Sequence, residues 1–276
     1  MSTALVLGGG GITGIAWEIG VLAGLARGGT DLTGADLVVG TSAGSVVGTL
    51  VASGVDLESM VVGQRGPRPG DDLPAVDIGL VVQAFAVMAD TSLDPREARA
   101  RVGALALAAD VGDEETQVAR FAAGMPQEEW PARRLVVTGV DALTGDPAAW
   151  DRDSGVPLVR AVTASCAVPC VFPPVTINGR RYIDGGVRSG TNADLATGAT
   201  DVVVIAPMAH MSPHGAPPAE LEALRAAASV TLIAPDEAAR VAIGQNVLDP
   251  SRRAAALEAG LVQGEKLARD GAFRPA

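Results

Sequence analysis

The sequence has few of the residues that define several protein classes. Aromatic residues make up 3% of 276 positions, Lys266 is the only lysine, and two cysteines and two histidines are present. Two cysteines cannot supply the disulfide framework of a small secreted fold. No apolar run approaches the roughly 18 residues of a membrane-spanning helix. Residues 1–5 lack a basic stretch before an apolar one, so they do not resemble a signal peptide.

Basic residues are also scarce relative to acidic ones, 21 against 32, which gives a formal charge of −11. This balance argues against a nucleic-acid partner and against steady electrostatic docking on anionic membranes. Hydrophobic residues make up 48% and charged residues 19%, so a sizeable core can form from Ala, Val and Leu. We therefore expect a soluble, cytoplasmic globular protein.

The first fifty residues contain a strand–loop–helix pattern twice. Residues 3–7 are apolar and end in glycines, and apolar residues recur at helical spacing over residues 15–27. Residues 36–39 form a second apolar run ending at Gly40, and an apolar helix is predicted over residues 45–52. This repetition predicts an α/β fold in which helices cover a mostly parallel sheet.

Residues 56–130 have a different character, because charged and apolar residues mix at helical spacing, as at Val81, Phe85 and Met88. The segment is either a helical insertion that covers the edge of the sheet or a plain helical layer. Further elements are predicted as strands over residues 135–140, 182–183, 201–206 and 230–233, helices over 156–165 and 250–269, and a loop over 207–218. Without an internal repeat or linker, residues 1–276 are predicted to form one domain, with a core at about 4–206 and a C-terminal region at 207–276.

The pattern G-x-S-x-G occurs between the second strand and its helix, at Gly40, Ser42 and Gly44. A serine on such a sharp turn projects its hydroxyl out of the sheet, and the flanking glycines relieve the crowding. The helix that follows directs N–H groups and its positive dipole end at an oxyanion. A helix N-cap is the simpler interpretation of Ser42, but the context favours a nucleophile.

A run of glycines over residues 8–14 follows the first strand, and its N–H groups can surround an anion. Gly9, Gly11 and Gly14 fit the dinucleotide-binding pattern G-x-G-x-x-G. That pattern requires an acidic residue at the end of the second strand, whereas Asp36 precedes this strand. The loop is therefore better interpreted as an oxyanion hole that serves Ser42.

A serine nucleophile needs a group that accepts its proton. His210 and His214 lie in the predicted loop after residue 206, and either could complete a triad with Ser42 and Asp184. Alternatively, Asp184 takes the proton directly, since Gly185 and Gly186 leave its carboxylate unobstructed. Lys266 is too isolated to act as a base. No group of residues has metal-ligand spacing, so neither a metal nor a cofactor is predicted.

Together these motifs resemble those of the bacterial patatin-like phospholipases. The resemblance includes the glycine loop at residues 8–14, the elbow at 40–44, the D-G-G motif at 184–186 and the stretch ASCAVPCVFPP at 164–174. It implies a three-layer α/β/α sandwich with a mostly parallel sheet. It also implies hydrolysis of lipid acyl esters through an acyl-enzyme, with a Ser42–Asp184 dyad, an oxyanion hole at Gly9, Gly10 and Gly11, no metal or cofactor, and at most transient contact with a membrane surface.

Two positions depart from the family pattern. Thr13 stands where family members often carry Arg or Lys, which removes a positive charge near the site. Asn192 is present after the D-G-G motif, but Asp194 replaces the proline of the usual Asn-x-Pro. We therefore expect a lipid acyl hydrolase, and the phospholipid headgroup is the less secure part of the expectation. Cys166 and Cys170 are expected to be small buried thiols.

Overall fold

The computed structural model describes residues 2–66, 77–209 and 219–271, which form a central sheet flanked by helices. The strands are β1 Thr3–Leu7, β2 Leu37–Gly40, β3 Arg134–Asp141, β4 Pro147–Trp150, β5 Val175–Ile177, β6 Arg180–Asp184, β7 Asp201–Ile205 and β8 Ser229–Ile233. The helices are α1 Gly11–Arg27, α2 Ala43–Ala52, α3 Leu57–Gln64, α4 Ile78–Ala89, α5 Pro95–Ala108, α6 Glu114–Gly124, α7 Leu158–Ser165, α8 Ala219–Arg225, α9 Glu237–Ile243 and α10 Arg253–Arg269.

The strands follow the order β5-β6-β3-β2-β1-β7-β8, and β4 pairs with β3 outside this path. The five neighbouring strands β3, β2, β1, β7 and β8 are parallel to one another. By contrast, β4 and β6 each pair antiparallel with β3, and β5 pairs antiparallel with β6. Leu7 pairs with both Gly40 and Ile205, so the carboxyl ends of β1, β2 and β7 lie side by side. The predicted α/β class with a mostly parallel sheet is confirmed.

The sheet separates two hydrophobic cores, because successive strand residues point to opposite faces. Leu5 and Leu7 belong to the larger core, which contains residues of α1, α2 and α10. Ala4 and Val6 belong to the smaller core, which is closed by α8 and by the 3-10 turn Ala193–Ala196. These two cores make the three layers of an α/β/α sandwich.

The regular elements described between residues 56 and 130 are all helices. Helix α3 packs against α1 and α10, and α6 packs against α7. Helices α4 and α5 pack against each other and cover the ends of β3 and β6. The strongly periodic predicted elements agree with the structure to within a few residues, whereas β4, β5, α8 and α9 are short and were not predicted. Most of the predicted loop at 207–218 lies outside the described residues.

Candidate active site

Ser42 stands at the turn between β2 and α2, as predicted. Its backbone has φ 52° and ψ −118°, a conformation that residues other than glycine rarely adopt. Such a residue costs about 1–3 kcal/mol and persists only where its surroundings hold it. The side chain does not cap α2, although capping was the simpler interpretation of this serine. The Ser42 side chain is therefore available for another partner.

Main-chain contacts hold this elbow against the end of β1. The Thr41 N–H donates to the Leu7 carbonyl (3.0 Å), and the Gly44 N–H donates to the Gly8 carbonyl (3.0 Å). A Cβ on Gly44 would lie 2.0 Å from the Leu7 oxygen, and one on Gly40 would lie 2.6 Å from the Gly44 oxygen. Both glycines of the G-x-S-x-G pattern are thus required by close backbone approach.

Asp184 ends β6 and faces the elbow. Its pairing partner on β3 is Gly139, while Val137 on the same strand pairs with Gly40, so the register brings Asp184 next to the turn after β2. The carboxylate accepts a hydrogen bond from the Gly186 N–H (2.7 Å). Burial raises the pKa of Asp184 to about 6, although the nearby Ser42 hydroxyl and the Gly186 N–H lower it. The structure therefore brings the two predicted catalytic side chains together.

The glycine loop lies beside the elbow at the carboxyl end of β1. This strand separates β2 from β7, and ligands of α/β proteins commonly bind at such a switch in strand order. The Gly9 N–H already donates to the Gly190 carbonyl (2.8 Å). The N–H groups of Gly10 and Gly11 have no acceptor in the part of the chain that is described, and they lie at the positive end of the α1 dipole.

The C-terminal region, which carries no recognisable motif, supports this loop. A Cβ on Gly10 would lie 2.6 Å from Pro207 Cβ, and the Thr13 N–H donates to the Val247 carbonyl (3.0 Å). The Thr13 hydroxyl donates to the same carbonyl (3.2 Å), and the residue is fully buried. Thr13 thus anchors the loop at the position where family members often carry a basic side chain.

A buried polar network continues from the elbow to the segment after Asp184. The Asn192 amide donates to Thr41 Oγ1 (3.0 Å) and to the Ser189 carbonyl (2.9 Å), and the Thr138 hydroxyl donates to Thr41 Oγ1 (2.9 Å). A Cβ on Gly185 would lie 2.2 Å from Thr138 Oγ1. This network fixes the distance between the elbow and the Asp184 turn.

Asp194, which departs from the family pattern, has a structural partner. Arg188 donates to both of its carboxylate oxygens, at 2.9 and 2.6 Å, and also to Asn192 Oδ1 (2.7 Å). The Arg188 guanidinium lowers the pKa of Asp194, against the effect of burial, which raises it. An ion pair therefore orders this segment at the position where proline is usual.

Three further buried groups near the site were not given a role from the sequence. The Ser42 N–H donates to Ser165 Oγ (2.9 Å), and the Cys166 thiol donates to the Ser42 carbonyl (3.3 Å). Burial raises the pKa of Cys166, and the Asp184 carboxylate adds to the increase. Glu18 on α1 is fully buried, neither of its carboxylate oxygens has a hydrogen-bond partner among the described residues, and burial raises its pKa well above the usual value.

Ser165 and Cys166 lie in the stretch at 164–174 that resembles the family, but the sequence does not show which atoms they bind. Cys166 and Cys170 are buried free thiols, as predicted. Among the described residues, no group of three His, Cys, Asp or Glu side chains could hold a metal ion.

The alternative interpretations fare differently. His210 and His214 lie outside the described residues, so the triad stays a prediction. Asp36 binds Thr3 Oγ1 (3.1 Å) at the start of β1, away from the glycine loop, and cannot serve a dinucleotide there. Within the described ranges, no helix combines the length and the apolar character needed to cross a bilayer.

Several solved structures are similar to this chain. VipD from Legionella pneumophila gives a TM-score of 0.48 with 14% identity, over 98% of this chain and 67% of VipD. The ExoU–SpcU complex from the type III secretion system of Pseudomonas aeruginosa gives 0.41 with 16% identity, over 97% and 52%. The chain thus spans about two thirds of VipD and about half of the ExoU chain. No curated protein matches the sequence.

The sequence also matches a family model, described as Patatin-like phospholipase, over residues 5–66 and 87–197. The matched stretches include the glycine loop, the elbow and the Asp184 turn, and they leave out most of α4. Because this match covers more than half of the chain, the protein belongs to the patatin-like phospholipase family.

Proposed function

We propose that the protein is a serine lipid acyl hydrolase of the phospholipase A or esterase type, with Ser42 as nucleophile and Asp184 as general base. The observation that carries this proposal is that the strand register places the Ser42 elbow beside the buried Asp184 carboxylate, where the Ser42 hydroxyl is near enough to lower the pKa of that carboxylate. A pKa of about 6 leaves this carboxylate ionised at neutral pH yet basic enough to accept a proton. Membership in the family supports a lipid acyl ester as the substrate.

In the first half of the reaction, Ser42 Oγ attacks the ester carbonyl carbon while Asp184 takes the hydroxyl proton. The carbonyl oxygen becomes an oxyanion, and the N–H groups of Gly10 and Gly11 stabilise it. Each well-placed donor contributes about 3–4 kcal/mol to such a transition state. The Gly9 N–H joins them only when it leaves the Gly190 carbonyl, to which it is bonded.

The tetrahedral intermediate then collapses, and the bond between the acyl carbon and the leaving oxygen breaks. Asp184 returns its proton to that oxygen, so an alcohol departs and the acyl group remains on Ser42. In the second half, Asp184 takes a proton from water, the hydroxide attacks the acyl carbon, and Ser42 leaves with the proton. The carboxylic acid is released and both residues are regenerated.

Labelling with a fluorophosphonate tests the nucleophile. We expect the wild type to be labelled on Ser42 and to hydrolyse a short-chain nitrophenyl ester, and we expect Ser42→Ala to lose both properties. Ser53→Ala is the matched control, because this serine ends the same helix α2 and its Oγ has no hydrogen-bond partner in the described part of the chain. Absence of labelling in folded wild-type protein would reject Ser42 as an activated nucleophile.

Replacement of both histidines separates the dyad from the triad. With Asp184 as base, the double variant His210→Ala, His214→Ala keeps its rate of ester hydrolysis within a few-fold. With a histidine base, the same variant loses several orders of magnitude in kcat. A loss of that size, in protein that still folds, would replace the dyad with a triad.

A further inference from the structure

Helix α4 is unusual among the helices of the described chain because it is apolar on both of its faces. Its sequence, IGLVVQAFAVMA, holds one polar side chain, Gln83, and no charge between Asp77 and Asp90. A helix that is apolar all round is normally buried. Only Ala84 of α4 is buried, so the helix carries an apolar surface in contact with water.

The inner face of α4 lies against the turn that carries Asp184. It packs on a small core that includes Ile183 and Val187, the residues immediately before and three after Asp184. The residues of α4 in this core are Leu80, Val81, Ala84 and Val87. The Asp77 carboxylate, at the start of the helix, adds to burial in raising the pKa of Cys170, which belongs to the same core. Helix α4 is thus one packing layer away from the proposed general base.

The outer face consists of Ile78, Val82 and Phe85, which are 72%, 61% and 55% exposed. Their spacing of four and three residues places them on one side of the helix, and Ala89 continues the row. The family match omits residues 67–86, so these three side chains belong to this chain and not to the shared motif region.

Charge and area decide what this face can bind. Asp77 and Asp90 stand at its two ends, and antiparallel packing of a second copy would bring these carboxylates together. Three side chains are also far short of the roughly 800 Å² per partner that a stable protein interface buries. A lipid interface has no such threshold, because binding to it scales with whatever apolar area is buried, so one row of apolar side chains supports weak docking.

We propose that the outer face of α4 docks the protein on an uncharged or zwitterionic lipid surface, an inference that rests on the proposed lipid substrate. The two flanking aspartates and the formal charge of −11 disfavour an anionic surface. Because so few side chains insert, docking is weak and reversible. It places the lipid surface across α4 from the turn that carries Asp184.

Vesicle flotation with the catalytically inert Ser42→Ala protein tests docking independently of catalysis. We expect this protein to bind phosphatidylcholine vesicles, and to bind vesicles rich in phosphatidylglycerol less well at low salt. Adding Val82→Glu or Phe85→Glu reduces the bound fraction at least tenfold. Val241→Glu and Val262→Glu are matched controls, since these valines are 68% and 64% exposed on α9 and α10, and they leave binding unchanged.

A second measurement uses proteins that keep Ser42. It compares the rate of hydrolysis of phosphatidylcholine vesicles with the rate of hydrolysis of a monomeric short-chain ester, as a ratio. The α4 variants lower this ratio at least tenfold, whereas the α9 and α10 variants preserve it. If the wild type does not hydrolyse the monomeric ester, the proposed function is contradicted, but the flotation result still stands. Docking is overturned if Ser42→Ala does not float with the vesicles, or if all four glutamate variants float equally well. It is also overturned if gel filtration shows a dimer and the only effect of the α4 variants is to dissociate it.

Discussion

The elbow at residues 40–44 and the helix pair α4–α5 both contact the turn that carries Asp184, but they are held in different ways. Main-chain hydrogen bonds fix the elbow, and Gly44 approaches β1 so closely that no side chain fits. The helix pair is held mainly by apolar side chains of a small core. Main-chain contact therefore sets the position of Ser42, the proposed nucleophile, while side-chain packing sets the position of the helix pair.

The two regions also differ in what they show to solvent. The elbow is nearly closed, with Ser42 7% and Asp184 4% exposed, whereas α4 exposes four large apolar side chains. If α4 docks on lipid as proposed, the region that meets the lipid is held by side-chain packing, and the region that carries Ser42 is held by its backbone.

Gly44→Ala gives the largest effect expected. The new Cβ would lie 2.0 Å from the Leu7 oxygen, and the buried elbow has no direction in which to move. We expect a loss of about 3 kcal/mol or more in the free energy of unfolding. Chemical denaturation of the purified protein, or failure of the variant to fold, measures this loss.

Two glycines of the helical segment are controls for that change. Gly63→Ala has open space around it on the exposed side of α3, so it stabilises by about 0.5–1 kcal/mol. Gly103→Ala would place a Cβ 1.9 Å from the Ala142 oxygen, but α5 is exposed on its far side and can shift, so the loss is about 1–2 kcal/mol. If Gly103→Ala destabilises as much as Gly44→Ala, the helix pair is as rigid as the elbow.

Asp184→Asn acts where the two regions meet. Loss of the general base lowers kcat for a monomeric ester by about 10²–10⁴. In the wild type, kcat/KM is expected to fall tenfold per pH unit below about pH 6, the pKa of the buried Asp184. A pH profile of both proteins measures these effects.

The same substitution stabilises the fold at neutral pH. The pKa of Asp184 is raised to about 6, and an unfolded Asp titrates near 3.9, so ionised Asp184 costs the folded state about 3 kcal/mol above pH 6. This penalty disappears as the pH falls below about 4, where the group is neutral in both states. Asp184→Asn should therefore raise Tm at pH 8 and not at pH 3.5. Equal changes at both pH values would mean that Asp184 does not carry a buried charge.

The same contrast explains what could be predicted from the sequence. Close backbone approach permits only glycine at Gly40, Gly44 and Gly185, so the elbow and the Asp184 turn are visible as motifs. The strand β1 and the end of α1 at Arg27 were predicted correctly, whereas α1 begins at Gly11, four residues before the predicted start, because its first turn lies in the glycine run. The strand β4 was missed because its four residues, PAAW, begin with proline and contain no β-branched side chain.

Side-chain partners could not be predicted in the same way. Helical spacing placed Val81, Phe85 and Met88 in a helix, but it could not tell that Val81 faces inward while Phe85 and Met88 are exposed. Ser165 lies in a motif, but its role could not be predicted because its partner, the Ser42 N–H, is 123 positions away in the chain. Tertiary hydrogen bonds of this kind leave no local periodicity.

Ser165→Ala is expected to lower stability less than Gly44→Ala and kcat less than Asp184→Asn, and it tests the side-chain contact that holds the elbow. The change leaves the buried Ser42 N–H without an acceptor, which costs about 1–3 kcal/mol of stability. Ser42 is then less firmly held at its positive φ, so kcat for a monomeric ester falls by about tenfold while KM changes little. Steady-state kinetics and thermal unfolding measure the two effects.

Thr163→Val is the matched control on the same helix α7. The Thr163 hydroxyl donates to the Val159 carbonyl one turn earlier and does not touch the elbow, so kcat stays within about twofold. Ser165→Thr keeps the hydroxyl and should restore most of the kcat lost in Ser165→Ala. If Ser165→Ala and Thr163→Val lower stability alike and neither lowers kcat, the elbow is held by its main chain alone, and the contrast with the helix pair is sharper still.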